Sequence, residues 1–185
     1  MELFEDNYEE FEKYLGQELG VSEYHQITQN QINLFSDATL DHQWIHTDTE
    51  RAATESPFKA TIAHGYLTLS LIPYLWKQVI DIQNLKMEIN YGIESLKFAQ
   101  PVLVNDQIRL KVKLSNILNL RGVSKVTIAL VMEISGQEKP AFTGETVFLY
   151  QSRLSLPTVL PTPDKADSTA YGTRILPCKA PGIAC

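Results

Sequence analysis

An aspartate and a histidine, Asp41 and His46, stand five positions apart in the first third of the chain. A carboxylate and an imidazole held together can orient a water molecule and move its proton, because the ordinary histidine pKa of about 6.5 allows exchange near neutral pH. Addition of water to a conjugated double bond needs this chemistry: a base takes a proton from water, and an acid protonates the neighbouring carbon. Asp41 and His46 are therefore candidate catalytic residues.

A glycine, Gly65, stands near the start of a strongly apolar helix predicted over residues 62–81. The first N–H groups of a helix have no acceptor within it and lie at the positive end of its dipole, so they can donate to a developing negative charge. Glycine also lets the backbone approach a ligand closely. The Gly65 N–H is therefore a candidate donor to an enolate oxygen, and tight packing at the helix start is the alternative explanation.

Taken singly, these residues have ordinary explanations. An isolated Asp41 is most often a turn-forming or capping carboxylate, and an isolated His46 is most often a loop histidine bonded to the backbone. His42 and His64 are expected to make hydrogen bonds that shape loops. His42, His46 and His64 could surround a metal ion, but no cysteine or clustered carboxylate supports this, so we expect no metal.

Helix signals flank the segment that holds Asp41 and His46. The sequence TQNQ at residues 28–31 fits a capping box and predicts a helix over residues 29–36. The sequence TDTE at residues 47–50 fits a second box and predicts about two helical turns through Ala53, ended by Pro57. A further amphipathic helix is predicted over residues 8–15. Residues 37–46 have no periodicity and are predicted to form a loop fixed at both ends.

The helix predicted over residues 62–81 is apolar almost all round, so it must be enclosed on most sides. Pro73 is expected to kink it or change its pitch. Its aromatic residues Tyr66, Tyr74 and Trp76 are expected in the core rather than against a ligand.

The second half of the chain alternates with the period of two that is typical of half-buried antiparallel strands. The pattern covers residues 107–114, 126–134 and, more loosely, 142–150, and residues 86–91 predict a further strand ended by Gly92. Turn-like breaks at residues 119–122 and 136–140 predict hairpins. The predicted class is α+β, with a long antiparallel sheet wrapped around a central apolar helix.

Length and composition limit the remaining choices. The 185 residues allow one domain with an appendage, and we place a domain at residues 1–151 and a proline-rich tail, extended or disordered, at residues 152–185. Six of the 22 acidic residues fall within the first twelve positions, so the other 16 balance the 16 basic residues and leave no basic field for nucleic acid. Both cysteines, Cys178 and Cys185, lie near the end of the chain, which favours a cytoplasmic location. Neither a signal peptide nor a membrane span is expected.

The sequence DHQWIH at residues 41–46, followed by IAHGYLTLSLIP at residues 62–73, resembles the motif of the MaoC-like dehydratases and R-specific enoyl-CoA hydratases. It is most similar to the NodN-like branch, and the resemblance covers about residues 22–150. The resemblance implies a single hotdog domain, a homodimer with the site close to its interface, Asp41 and His46 as catalytic residues, and a Gly65 N–H that contacts the thioester carbonyl. These hydratases usually have Asn-Pro at the positions of Gln43 and Trp44, a departure that bears on rate and substrate more than on reaction class.

The implied reaction is the reversible hydration of a trans-2-enoyl thioester to the R-3-hydroxyacyl thioester. Coenzyme A or an acyl carrier protein would arrive as part of the substrate, with no metal or redox cofactor. One alternative is a hotdog acyl-CoA thioesterase, which usually has a carboxylate on or beside the central helix; residues 62–80 contain none. The other alternative is a non-catalytic module that binds acyl thioesters or a partner protein. Trp44 is the reason to retain it, because a tryptophan at this position would narrow the site.

Overall fold

The structure is a computed structural model that describes residues 8–82 and 85–152. The predicted proline-rich tail, including both cysteines, lies outside the described residues, as does most of the acidic start. The elements in chain order are α1 (Tyr8–Glu12), β1 (Glu18–Val21), β2 (His25–Gln26), α2 (Gln29–Thr39), α3 (Trp44–Thr47), α4 (Thr49–Glu55), α5 (Gly65–Ser70), α6 (Ile72–Val79), β3 (Leu85–Phe98), β4 (Gln107–Asn119), β5 (Val123–Ile134) and β6 (Phe142–Ser152).

The strands form one antiparallel sheet in the order β1-β4-β5-β6-β3, with β2 also paired to β4. Both predicted hairpin turns are present: Arg121 and Gly122 have positive φ between β4 and β5, and Gly136 has positive φ between β5 and β6. The predicted alternation is confirmed, because the apolar positions of β4 and β5 are buried on one face. These buried side chains are Ile108, Leu110, Val112, Leu114, Val126, Ile128, Leu130, Met132 and Ile134.

The central helix is two consecutive helices, α5 and α6, separated at Leu71 and packed on the buried face of the sheet through Leu75 and Trp76. Pro73 lies in the first turn of α6, where its missing N–H costs no helical hydrogen bond. The predicted start at residue 62 was wrong: Ile62 and Ala63 are extended, because their N–H groups donate to Ile45 and Val102. Among the described residues, no helix is long and apolar enough to cross a membrane.

Tyr66 and Tyr74 do not lie in the core as expected; their side chains are exposed, whereas Trp76 is buried. The sheet covers the side of α6 that carries Leu75 and Trp76, and it leaves both tyrosines outside. The helix is therefore enclosed on fewer sides than its composition predicts.

Several other predicted boundaries were also wrong. The first helix ends at Glu12 rather than at residue 15. Residues 37–46 are not one loop, because α2 continues to Thr39, Leu40 turns the chain at φ 61°, and α3 begins at Trp44. The second capped helix begins one residue later than predicted, since Asp48 rather than Thr47 accepts the Arg51 N–H. Strand β3 continues through Gly92, where a register shift in its pairing with β6 accommodates the glycine.

Candidate active site

The start of α5 borders a cleft of about 460 Å³ between the helix and the chain that follows β3. His46 and Gly65 lie in its wall, and most of the remaining wall is apolar. Other lining residues include Ile62, Ala63, Phe98 and Val102. The cleft therefore joins two of the residues predicted from the sequence in one apolar space.

His46 is buried in α3, and both its main chain and its ring are fixed. The Gln29 amide donates to the His46 carbonyl at 2.8 Å, and Nδ1 of His46 lies 2.7 Å from the Ile62 carbonyl. A carbonyl only accepts hydrogen bonds, so Nδ1 carries the hydrogen and Nε2 is the nitrogen with a lone pair in the neutral ring. The ring is thus held in the tautomer that leaves Nε2 able to take a proton.

Burial lowers the pKa of His46 below its usual value of 6.5. The hydrogen bond to Ile62 opposes this shift, the nearby His64 ring adds to it, and the Asp41 carboxylate opposes it. The net direction favours the neutral imidazole at pH 7, which is the form that a general base requires.

Asp41 lies in the short turn between α2 and α3. Its main-chain carbonyl accepts two hydrogen bonds, from the Ser36 hydroxyl at 2.7 Å and from Nε2 of His64 at 3.0 Å. Its carboxylate is largely exposed, with Oδ2 4.0 Å from Nε2 of His64. The main chain is therefore held in place while the carboxylate remains accessible.

Asp41, His46 and His64 form one cluster, in which one side-chain nitrogen or oxygen of each lies within 4.8 Å of the others. The rings of His46 and His64 stack with centroids 3.7 Å apart and an angle of 25° between their planes. The structure thus brings Asp41 and His46 together, and their catalytic role stays a prediction.

The stacked rings are poorly arranged for a metal ion. Imidazole binds a metal through a lone pair in the ring plane at about 2.0–2.1 Å, and two nearly parallel stacked rings direct their lone pairs side by side rather than to one point. One nitrogen of each ring is also already bonded to a carbonyl. His42 is not in the cluster; its Nδ1 lies 3.0 Å from the Ser36 hydroxyl.

Gly65 is the first residue of α5, and no side chain caps this end of the helix. A Cβ added at Gly65 would lie 3.0 Å from two ring atoms of Phe98, which also lines the cleft. The close approach of Phe98 agrees with the packing explanation for this glycine, and the place of Gly65 in the cleft wall agrees with the ligand explanation.

Trp44 does not narrow the cleft as expected. The guanidinium of Arg51 lies 4.3 Å from its ring centroid, and Trp44 is absent from the cleft lining within residues 8–82 and 85–152. Sequence reasoning missed Ser36, which bonds the Asp41 carbonyl, and Gln29, which bonds the His46 carbonyl. The only signal for these two residues was that both belong to α2, the helix that precedes the sequence DHQWIH. The loop-shaping hydrogen bonds expected of His42 and His64 are present.

Comparison with known proteins finds a family model and several relatives that are similar to this chain in sequence. A family model described as "MaoC like domain" matches residues 10–134. The 3-hydroxyacyl-thioester dehydratase Z of Mycobacterium tuberculosis is 42% identical, over 73% of this chain and 89% of that protein. Nodulation protein N of Rhizobium leguminosarum bv. viciae is 41% identical, over 74% of this chain and 86% of that protein.

Solved structures with a similar fold include two hydratases. The unliganded R-hydratase PhaJ1 from Pseudomonas aeruginosa superposes with a TM-score of 0.62 at 23% identity, covering 80% of this chain and 90% of that one. The (R)-hydratase from A. caviae involved in PHA biosynthesis gives a TM-score of 0.59 at 27% identity, covering 72% of this chain and 94% of that one.

Proposed function

The chain belongs to the MaoC-like dehydratase family, and from this premise we propose that it reversibly hydrates trans-2-enoyl thioesters to R-3-hydroxyacyl thioesters. It is an enzyme of the hydro-lyase type, and its family adds water to acyl thioesters or removes it. The observation that carries the finer proposal is that an Asp41 carboxylate oxygen lies within 4.8 Å of a ring nitrogen of His46, whose ring lies in the wall of an apolar cleft.

In the proposed hydration, Asp41 and His46 orient one water molecule. As the water oxygen bonds to C3, Nε2 of His46 takes a proton from it, and the electron pair of the C2–C3 double bond moves towards the thioester carbonyl to form an enolate. His46 then returns the proton to C2, so one water is added and no proton is gained or lost overall. The lowered pKa of His46 supports both steps, since the ring begins neutral and releases its proton readily.

The Gly65 N–H is the proposed donor to the enolate oxygen. It lies at the start of α5, in the same cleft wall as His46. A donor fixed in place before the reaction stabilises the developing charge without reorganisation, and removing one such donor typically costs about 3 kcal/mol of transition-state stabilisation. The mechanism uses no metal or redox cofactor, and coenzyme A or an acyl carrier protein enters as part of the substrate.

The thioesterase alternative has less support. The helices α5 and α6 hold no carboxylate that could activate water, and Asp41 lies beside a histidine with a free nitrogen, which is an arrangement for moving a proton in two directions. The non-catalytic module was kept open by a narrowing Trp44, and the contact of that ring with Arg51 removes this reason.

We also propose that the protein is a homodimer joined along β3. This strand has 14 residues at one edge of the sheet, and its free edge pairs with no other strand in the described part of the chain. Large apolar side chains are exposed along it: Met87, Ile89, Tyr91, Ile93 and Phe98. An exposed edge of this kind favours pairing with a second copy, which would bury these side chains. A cytoplasmic location stays a prediction.

The test is the loss of enoyl absorbance when purified protein is mixed with short- and medium-chain trans-2-enoyl-CoA. We expect activity that falls by at least about 100-fold in both Asp41→Asn and His46→Ala, because proton transfer by a positioned side chain contributes about 10²- to 10⁴-fold. Asp37→Asn is the matched control, since it removes an exposed carboxylate of α2 that is not part of the Asp41–His46–His64 cluster, and we expect it to keep wild-type activity.

Other outcomes would redirect the assignment. Release of free thiol without loss of the double bond would support the thioesterase. A wild-type protein that is inert in both assays would contradict hydration of coenzyme A thioesters and favour a binding module or a carrier-protein substrate. Full activity in both variants, with their folds intact, would remove Asp41 and His46 from the mechanism.

A further inference from the structure

His64 has no role in the mechanism above, although it touches each part of the site. Its Nε2 donates to the Asp41 carbonyl, its ring stacks on His46, and it immediately precedes Gly65 as the residue that caps α5. Its own carbonyl accepts the N–H groups of Leu67 and Thr68, which fixes its main chain to the first turn of the helix.

The hydrogen bond to Asp41 determines the form of the His64 ring. A carbonyl can only accept, so Nε2 carries the hydrogen, and in the neutral ring Nδ1 is the unprotonated nitrogen. That Nδ1 is buried and has no partner in the part of the chain that the structure describes.

The two stacked rings also interact through charge. The titratable groups that face His64 are His46, stacked at 3.7 Å, and the Asp41 carboxylate, 4.0 Å from Nε2; the third ring against it is the uncharged Phe35. Two imidazolium ions at this separation repel, so one proton on the pair disfavours a second. The presence of His64 therefore helps to keep His46 neutral, in agreement with its lowered pKa.

We propose that His64 is a positioning residue of the hydratase, which ties the Asp41 main chain and the face of the His46 ring to the start of the helix that carries Gly65. The proposal rests on the proposed function. His64 touches no substrate in it; it fixes the distance between the water-activating pair and the enolate donor. Errors of about 1 Å in such distances cost up to about 100-fold in rate.

Two substitutions separate the contacts of His64. His64→Gln keeps an N–H donor near the position of Nε2 and removes the ring, whereas His64→Phe keeps a ring against His46 and removes the donor. We expect kcat to fall by about 10- to 100-fold in His64→Phe, with KM changed by less than about twofold, and to recover in part in His64→Gln. In both variants the acid limb of kcat/KM should move to higher pH, because His46 loses a neighbour that lowers its pKa.

Ser36→Ala is the matched control. It removes the other hydrogen bond to the Asp41 carbonyl but leaves the stacked rings in place. We expect a lower kcat and an acid limb at the wild-type pH. A residue with a merely structural role would lower thermal stability in the His64 variants without moving the acid limb.

The titration of His46 by NMR, in protein labelled with ¹⁵N at histidine and without substrate, completes the test. An active wild type with unchanged kcat and acid limb in both folded His64 variants would overturn the role of His64 and leave the hydratase standing. An inert wild type would overturn the hydratase instead. In that case the NMR measurement still tests the role of His64. A His46 pKa that is unchanged in both variants would contradict the proposed effect of His64 on His46.

Discussion

A stacked pair of rings in the core and a stacked pair in the site differ in what happens to the polar atoms beside them. In the core, Trp76 stacks on Phe148 with centroids 6.1 Å apart, and the Trp76 N–H donates to the Tyr150 hydroxyl at 2.8 Å. In the site, His46 and His64 stack at 3.7 Å, and each ring keeps one nitrogen that no carbonyl occupies. The core pair uses its polar atom for stability, whereas the site pair leaves Nε2 of His46 available for chemistry.

Burial acts in the same way on Tyr150, which accepts the hydrogen bond from Trp76, and on His46. It raises the pKa of Tyr150 well above 10.0 and lowers the pKa of His46 below 6.5, because a charged form is disfavoured away from water in each case. A tyrosine fixed in its neutral form is useful only as a hydrogen-bonding group. A histidine kept neutral at pH 7 is useful as a base.

The largest difference should come from Trp76→Ala. We expect it to lower the free energy of unfolding by about 3–5 kcal/mol, since it empties the centre of the core. The other tryptophan of the chain is the control: Trp44→Ala should cost about 1 kcal/mol or less, because Trp44 is partly exposed and contacts Arg51. Denaturant titration measures both, and equal costs would contradict the placement of the two rings.

Tyr150→Phe tests the hydrogen bond of the core pair. The substitution leaves the buried Trp76 N–H without its acceptor, so we expect a loss of about 1–3 kcal/mol in the free energy of unfolding. Tyr74→Phe, at an exposed tyrosine, should change it by less than about 0.5 kcal/mol. Hydratase activity of the folded protein should be unaffected by either change, and a loss confined to Tyr150→Phe would link the core pair to the site.

Gly65→Ala should affect the site and spare the core. The new Cβ would lie 3.0 Å from the Phe98 ring, so the cleft wall must shift, and we expect kcat/KM to fall about tenfold. Alanine is a better helix former than glycine, so the free energy of unfolding should not fall by more than about 1 kcal/mol. Adding Phe98→Leu relieves the crowding; recovery of activity would confirm that cause, and no recovery would indicate a misplaced N–H.

The smallest effect is the dependence of stability on acid. The pKa of His46 is lower in the folded than in the unfolded chain, so the unfolded chain binds more protons between those two pKa values. The stability contributed by neutral His46 is complete above pH 6.5 and is lost as the pH falls through the folded pKa. As the pH is lowered from 7.5 to 5, the melting temperature should therefore fall less in His46→Gln than in the wild type. An identical slope would contradict the shift.

The structure could be predicted from the sequence where burial on one face or a local hydrogen-bonding pattern decides it. Alternation in β4 and β5 follows directly from one face of the sheet being covered, and the capping box at Thr28 is a local signal that the structure confirms with both of its hydrogen bonds. The α+β class, the family and the meeting of Asp41 with His46 could therefore be predicted.

Predictions failed where distant residues decide. Gly92 does not end β3. A glycine has the same main-chain N–H and C=O groups as other residues, so it can pair with β6, and there it lies opposite Val147. The turn at Leu40 and Asp41 is fixed partly by His64, which is 23 positions away along the chain, so no local pattern could predict it. For the same reason the sequence indicated His64 only as a residue that shapes a loop.

The pairing of β3 also determines when the sheet can be completed. Strands β4, β5 and β6 join as neighbouring hairpins, but β3 pairs with β6 across large separations, such as the 54 positions between Gly92 and Thr146. Long-range pairing pays its loop-closure entropy before it gains contacts, so β3 should join after β4, β5 and β6 have paired with one another. During synthesis the 14-residue strand β3 leaves the ribosome well before its partner β6, with its main-chain N–H and C=O groups unpaired. Until β6 has been made, this strand is therefore open to pairing with other chains, and a chaperone that covers it would prevent that pairing.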